Sequence, residues 1–451
     1  MMRQLAFRSL RTRASAFGAA FLSVFFGRMI IGTFAILAAA GYGDVSAADA
    51  DRLRLMGTVV GSWGAVIVLF SVASTLGLVI GQRQAETSLL RAVGATPGQV
   101  RRLVLTESVL VTVAAVVLSS VPAAITGDLV LAAMRNSGMI DESVGVSVGA
   151  RAIALAVTGV VLSLVCLLAG ILATRRTAKA SASIEPQRMS RWRWAAGILL
   201  TLGGIQSAVI TVTVTANDPD PLAPMSTAGP ACVFTSIGLA TLAPALLKRA
   251  ATWFAFLLRP FGAAGHLAEH DLRARAHLLG SALAPIIVFA GISTGTAYLV
   301  AIENAVSANR PQTAEAQDVE LLNYVVVGMI ALFAAIMVVN TLAAAIADRR
   351  PEFGRQQLAG ATKPQIRLMM RLEAGFLAGA GIGIGALASS ATVVSYSWVK
   401  QNQVVPGPGP WYFLGVAAVA TVVTVSATRV LTRKALSGSA LTAVAGNQGH
   451  C

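Results

Sequence analysis

Ten apolar runs dominate this sequence, and each is long enough for an α-helix to cross a bilayer, which takes about 20 residues. Lipid offers no partner for backbone N–H and C=O groups, so a spanning segment must satisfy them internally. The runs are too long for barrel strands. We therefore expect an all-α integral membrane protein with about ten transmembrane helices. The runs cover residues 17–41, 57–80, 103–131, 147–173, 194–215, 229–257, 279–302, 321–347, 368–395 and 411–431.

The charge pattern predicts how the chain is oriented. Only 12% of the residues are charged, against roughly 25% in soluble domains. The net charge of +15 would favour nucleic-acid binding in a soluble protein, but here the basic residues occupy alternate loops, as the positive-inside rule describes. We expect both termini in the cytoplasm, contacts with membrane lipid, and no nucleic-acid partner. The basic loops include Arg8, Arg11, Arg13, Arg83, Arg101, Arg102, Arg175, Arg176, Arg188, Lys248, Arg249, Arg273, Arg275, Arg349, Arg350, Arg367, Arg371, Arg429 and Arg433.

No catalytic or metal-binding motif is recognisable in the sequence. Cys166, Cys232 and Cys451 are too scattered to form a disulfide or metal framework. His266 and His270 lie four residues apart, but no HExxH pattern accompanies them, and we interpret them as part of a surface helix. The phosphate-binding pattern GxxxxGK[ST] is also absent. We therefore predict a chain with no catalytic residue, no metal site and no cofactor of its own.

An internal repeat organises the chain. Two segments match without gaps at one constant offset, and the shared residues are polar or Gly rather than generic membrane residues, so duplication is the simplest cause. A second match lies upstream, where Leu10, Arg11, Arg13, Ala14, Gly18 and Ala20 recur as Leu272, Arg273, Arg275, Ala276, Gly280 and Ala282. In the main match Arg83, Glu86, Gly94, Ala95, Thr96, Gln99, Arg101 and Glu107 recur as Arg349, Glu352, Gly360, Ala361, Thr362, Gln365, Arg367 and Glu373.

The repeat predicts four regions. Residues 1–175 and 265–435 form two four-helix modules, residues 176–264 form a linker with two transmembrane helices, and residues 436–451 form a cytoplasmic tail. Six helices separate equivalent positions, and because this number is even, both motif loops face the same side of the membrane. The repeat is therefore parallel, unlike the inverted repeats of many secondary transporters.

The repeated motif predicts a short helix, a sharp corner and a second helix. Gly94 fits the left-handed position that ends a helix. Thr96 and Gln99 then form a capping box around Pro97 in the first turn of the next helix. The second copy keeps Gly360, Thr362 and Gln365 and has its proline at Pro364. Helix capping alone would explain each residue singly, but retention of the same polar set in both copies favours a docking element.

The segment from Glu86 to Thr96, with its echo from Glu352 to Thr362, resembles the signature loop of FtsX-like permeases. That family includes MacB, the lipoprotein-releasing permeases and the bacitracin-export type permeases. The resemblance implies that each loop is a coupling helix in a groove of a cytoplasmic ATPase subunit, and that two such subunits bind the ATP and Mg. The coupling residues are then Glu86, Leu89, Leu90, Arg91, Val93, Gly94, Ala95 and Thr96 in the first copy, and Glu352, Gly360, Ala361 and Thr362 in the second.

The sequence departs from the family in two places. Arg355, Gln356 and Gln357 replace Leu89, Leu90 and Arg91 in the second loop, so its docking face is more polar. The large extracytoplasmic domain of many relatives is missing, since only residues 42–56 and 303–320 are available for it.

Three charged residues within apolar runs form a candidate intramembrane polar site. Arg28 costs several kcal/mol if it is unpaired, and Glu107, Asp128 or an internal polar path are its expected partners. Glu107 and Glu373 lie about three turns beyond the Thr caps, near the inner interface, where we expect a link to the basic lead-in of each module.

These features predict the permease subunit of an ATP-binding-cassette transporter in the bacterial inner membrane. It would export an amphipathic substrate such as an antimicrobial peptide, a drug or a lipid. The alternative is an FtsX-like signal transmitter, which passes ATPase motion to an extracytoplasmic partner without moving a substrate. An ion-coupled transporter is disfavoured because buried acidic residues are scarce and the repeat is parallel.

Overall fold

The computed structural model describes residues 14–82, 93–180, 189–218, 223–307, 314–439 and 441. Within these ranges the chain forms fourteen α-helices and no strand. Short π or 3₁₀ turns at Leu55–Val60, Thr215–Asn217 and Ala255–Phe261 join some of them. The helices are α1 (Ala14–Ala40), α2 (Ala47–Arg54), α3 (Gly61–Gln82), α4 (Pro97–Asn136), α5 (Val148–Ala180), α6 (Arg191–Thr213), α7 (Ala223–Thr241), α8 (Ala243–Phe254), α9 (Gly262–Ala274), α10 (Ala276–Ser307), α11 (Ala314–Asp348), α12 (Arg350–Leu358), α13 (Lys363–Gln401) and α14 (Trp411–Ala435).

The number of membrane-crossing helices agrees with the sequence prediction. In the described part of the chain 9 helices are long and apolar enough to cross a membrane, and the number reaches 10 if one bent pair counts as a single span. The bent pair corrects the prediction for residues 229–257, because α7 and the segment Ala243–Ala274 meet at 71° instead of forming one straight helix. Pro244 lies in the first turn of α8, where its missing amide is tolerated, whereas it could not continue α7.

Unit 1 is one of two compact units and comprises residues 1–188 and 300–333. Its described helices include a bundle in which α1 packs against α3, α4 and α5. Small residues bring these helices close together, since a Cβ at Gly127 of α4 would lie 2.8 Å from Cδ1 of Ile36. The hydroxyl groups of Thr33 and Thr126 lie 2.6 Å apart and join α1 to α4.

Unit 2 comprises residues 189–299 and 334–451. Helix α13 is central to it and contacts α6, α7, α9 and α14. Two hydroxyl groups tie α7 to α13: Thr235 Oγ1 donates to Ala388 O at 2.9 Å, and Thr392 Oγ1 donates to Ala228 O at 2.6 Å. The two linker helices α6 and α7 thus belong to the same compact unit as most of the second module, whose residues 300–333 are part of unit 1. The four regions read from the repeat remain a prediction.

Two glycines of α13 allow close approach of α10. A Cβ at Gly385 would lie 2.6 Å from Ala290 Cβ and 2.9 Å from Gly291 N, and one at Gly381 would lie 2.5 Å from Ile286 Cγ2. Nearby Gly383 is exposed and has no neighbour within 4 Å of an added Cβ. The helix contact therefore depends on one face of α13, as expected for small residues between membrane helices.

Gly385→Val should destabilise the permease, whereas Gly383→Val should not. A valine at 385 overlaps the α10 backbone, and overpacking of this kind costs about 1–3 kcal/mol. A thermal unfolding midpoint of the detergent-purified protein would show the difference. Equal midpoints for the two variants would contradict the close contact between α10 and α13.

Candidate coupling corners and a buried ion-pair network

The first corner has the predicted backbone. Gly94 has φ +100, a conformation that residues with a Cβ rarely adopt. Thr96 is the N-cap of α4: its Oγ1 accepts a hydrogen bond from Gln99 N at 3.3 Å, and Gln99 Oε1 accepts one from Thr96 N at 2.9 Å. Val93 is 89% exposed beside this corner. The predicted coupling residues Glu86, Leu89, Leu90 and Arg91 lie outside the described residues.

The second corner repeats this geometry and shows the helix that precedes it. Helix α12 ends with Gly360 at φ +97, where Gly360 N donates to Gln357 O at 3.1 Å and Ala361 N donates to Gln356 O at 2.9 Å. These two bonds form a Schellman motif. Thr362 then starts α13, and its N donates to Gln365 Oε1 at 2.8 Å. Both corners therefore place a glycine with nearly the same positive φ and an extended N-cap threonine directly before a long helix.

Space does not require glycine at either corner. Among the described residues, no atom lies within 4 Å of an added Cβ at Gly94 or Gly360. The positive φ is therefore the reason that the described structure gives for a glycine at each corner.

The guanidinium of Arg349 forms the centre of an ion-pair network directly before α12. Its Nη1 donates to Glu373 Oε2 at 2.5 Å and its Nη2 donates to Asp271 Oδ2 at 2.7 Å. Its Nε lies 3.5 Å from Glu352 Oε2. These three carboxylates belong to α13, α9 and α12, so the side chain of Arg349 connects the start of α12 to α13 and to α9.

Arg275 closes the network on the side of α9. It donates to Glu352, and its Nε lies 3.9 Å from Asp271 Oδ1. Arg273, the other lead-in arginine, pairs with Glu269 at 3.1 Å. The sequence predicts a link between Glu373 and the basic lead-in of the second module. In the structure this link is indirect, because Glu373 contacts Arg349 and Arg349 contacts Asp271 of α9.

The network is largely removed from solvent. The side chains of Arg349, Asp271 and Glu373 are 11%, 6% and 2% exposed. Burial alone would lower the pKa of Arg349, but the carboxylates of Glu373, Glu352 and Asp271 outweigh it and raise that pKa above its ordinary value. Arg349 therefore stays charged, and loss of its side chain would leave buried carboxylates without a counter-ion.

The repeat already contained a signal for most of this network. At the two constant offsets, Arg349, Glu352, Glu373 and Arg275 correspond to Arg83, Glu86, Glu107 and Arg13. Only Asp271 differs, because Ser9 stands at its counterpart. Sequence reasoning selected Glu352 and Glu373 but missed Arg349, Arg275 and Asp271. Of these first-module counterparts, only Glu107 lies among the described residues, and it is fully buried.

Arg28 lies inside unit 1, and no ion pair with a carboxylate is found for it among the described residues. It is 1% exposed and one of its nitrogens donates to the carbonyl of Leu155, while Nε and Nη1 have no hydrogen-bond partner among the described residues. Asp128, one of its expected partners, instead pairs with Arg151 at 2.8 Å. Gly159 lies beside the guanidinium, where an added Cβ would be in ordinary contact with Nε at 3.5 Å.

Arg349→Met should destabilise unit 2 strongly. It leaves Glu373 as an unpaired buried charge, which costs about 3–5 kcal/mol, whereas Arg350→Met at the exposed neighbouring position should change little. Adding Glu373→Gln to Arg349→Met should recover part of the loss, because the orphaned charge is removed. The parent, Arg349→Met, Glu373→Gln and the double variant form a double-mutant cycle. Their unfolding midpoints are compared in detergent, and strictly additive effects would contradict the ion pair.

Comparison with known proteins agrees with this geometry. A family model described as FtsX-like permease C-terminal matches residues 58–182 and again residues 324–440, which together are more than half of the chain. Each matched segment contains one corner, Gly94 in the first and Gly360 in the second. No curated protein matches the chain significantly. The chain therefore belongs to the FtsX-like permease family, as a multi-pass membrane subunit of the ABC transporter permease type with two copies of the family's module.

Proposed function

We propose that this permease exports an amphipathic substrate across the bacterial inner membrane, driven by ATP hydrolysis in two copies of a separate ATPase subunit. The observation that carries the proposal is the duplicated corner, in which Gly94 and Gly360 have nearly the same φ and both precede a capped helix of about 40 residues. A rigid corner transmits a push on its exposed segment into the long helix behind it. Two corners provide one docking element for each ATPase subunit.

The ion-pair network supports this coupling role in the second module. Phe353 and Gly354 are buried, so α12 rests on the body of unit 2, while Leu358 is 57% exposed near its end. Arg349 connects the start of α12 to α13 through Glu373 and to α9 through Asp271. Displacement of α12 by a docked ATPase would therefore move α13 and α9 with it.

Transport is favoured over signalling by the short connections on the proposed outer side. Between α1 and α3 the chain has only the segment of residues 41–60, which includes α2. A regulator that grips an extracytoplasmic enzyme needs a larger surface there. Arg28, with two side-chain nitrogens that lack a partner in the described chain, is the residue that we place nearest the substrate path.

The proposed orientation can be checked with an impermeant thiol reagent on intact cells. Cys451 and a Cys introduced at Ser181 should be protected, and a Cys introduced at Ser307 should react, because basic loops remain in the cytoplasm. Both membrane-embedded thiols, Cys166 and Cys232, are buried and should stay silent. Labelling at position 181 from outside would contradict the topology.

The coupling role of the first corner can be separated from simple capping. Gly94→Val places a β-branched residue at positive φ, which should cost about 1–3 kcal/mol locally and reorient the docking segment. Gly98→Val is the matched control, because Gly98 is equally unobstructed but its φ is not positive. We expect Gly94→Val to insert at normal abundance and to lose ATPase copurification or ATP-driven transport, with Gly360→Val behaving similarly.

The assay uses the tagged full-length permease, with the copurifying subunit identified by mass spectrometry and tested for nucleotide hydrolysis. The permease alone should hydrolyse no ATP above background. Full ATPase binding and transport by both corner variants would reduce the corners to structural caps, and the proposed coupling would then have to be withdrawn.

A further inference from the structure

Four arginine side chains line one groove between α13 and α14 in unit 2. Arg367 and Arg371 lie one turn apart on α13, and Arg429 and Arg433 lie one turn apart on α14. The groove lies at the end of α13 that follows the Gly360 corner, because Arg367 is in the second turn of that helix.

No carboxylate in the described chain balances these four charges. The ion pairs of unit 2 involve Arg259, Arg273, Arg275 and Arg349 instead. Glu373, which is two residues from Arg371 along α13, is already bound to Arg349. Arg367 Nε is buried and has no hydrogen-bond partner among the described residues, whereas Arg371, Arg429 and Arg433 are exposed. An anion in the groove would reduce the repulsion between the like charges that line it.

Two buried hydroxyl groups in the same groove also lack partners. Thr428 and Thr432 are each 2% exposed, and neither Oγ1 has a hydrogen-bond partner among the described residues. Other threonines of this protein, such as Thr33 and Thr296, donate to the carbonyl one turn back. Thr428 and Thr432 do not, so two O–H donors remain available beside the guanidinium groups. Guanidinium and hydroxyl donors together match the oxygens of a phosphate group.

The equivalent groove of the first module has a different character. At the constant offset of the repeat, Arg367 has a basic counterpart in Arg101, but Ser163 and Leu167 stand at the counterparts of Arg429 and Arg433. Leu105 corresponds to Arg371 at the constant offset of the repeat. An ATPase contact common to both modules would require similar surfaces in both grooves. The difference therefore favours a ligand that binds the second module only.

Helix α13 is longer than a membrane span requires. A helix of 39 residues is about 58 Å long, well beyond the roughly 30 Å of the hydrocarbon core. Its first turns carry Lys363, Arg367 and Arg371, and we infer that this basic end lies in the headgroup layer. We propose that the groove binds the phosphate of an anionic phospholipid headgroup, an assignment that rests on the proposed cytoplasmic position of this helix end, where the leaflet is negatively charged.

The test measures lipid binding by the purified full-length permease in detergent with native mass spectrometry. Phosphatidylglycerol, phosphatidylcholine and inorganic phosphate are added in separate arms. Phosphatidylglycerol should bind best, since phosphatidylcholine has the same phosphodiester but no net charge. In Arg371→Gln/Arg433→Gln the affinity for phosphatidylglycerol should fall by about tenfold or more, given the contribution of each cation near an anionic lipid. Thr428→Val should weaken binding less, and it tests the groove without changing charge.

The matched control is Lys248→Gln/Arg249→Gln, which removes two exposed cations from α8 and should leave the affinity unchanged. Equal affinities for the control and the groove variant would overturn the proposal. So would binding of inorganic phosphate in preference to the lipid. The groove variant is also tested for copurification with the ATPase subunit. If it kept its lipid affinity but lost the ATPase subunit, the surface would be an ATPase contact and the proposed lipid site would be wrong. The lipid assay contains no ATPase, so its result is independent of the proposed transport function.

Discussion

The absence of hydrogen-bonding solvent in a bilayer is the constraint on which this structure depends. Each backbone amide of a spanning segment must be satisfied within its own helix, so helices form and irregular backbone is confined to their ends. The corners at Gly94 and Gly360 are such ends, and each places a residue with positive φ directly before a capped helix. Groups that cannot be satisfied locally, such as the carboxylate of Glu373, must find partners on other helices. The Arg349 network is the consequence in unit 2.

That network makes the second corner part of a larger rigid assembly. Arg349 connects α12, α9 and α13 through three carboxylates, and a buried ion pair of this kind resists any motion that separates its charges. The corner and the network therefore complement each other, since one fixes the direction of the chain and the other holds α12 against its neighbours. In the sequence, Arg83, Glu86 and Glu107 stand at the matching positions of the first module.

The two modules are nevertheless specialised. Ser9 stands where the second module has Asp271, and Leu105 stands where it has Arg371. Arg28, conversely, aligns with Ala290, which packs close to Gly385. The first module therefore has a buried cation, Arg28, at the position where the second module has Ala290 in a contact between two helices. Duplicated modules can divide their roles in this way when coupling is required of both and ligand contacts are required of only one.

The sequence by itself determined the helical class, the approximate number of spans, the duplication and the two corners. These features depend on local properties: apolar runs of fixed length, and a glycine followed by a capping box. Only the tertiary structure decided which charges meet. Glu373 pairs with Arg349, Asp128 pairs with Arg151, and α7 bends away at Pro244. These ion-pair partners lie about 20 to 80 residues apart in the sequence, and which of them meet depends on how the helices pack. The spacing of charges along the sequence does not specify that packing, because many pairings satisfy the same charge pattern.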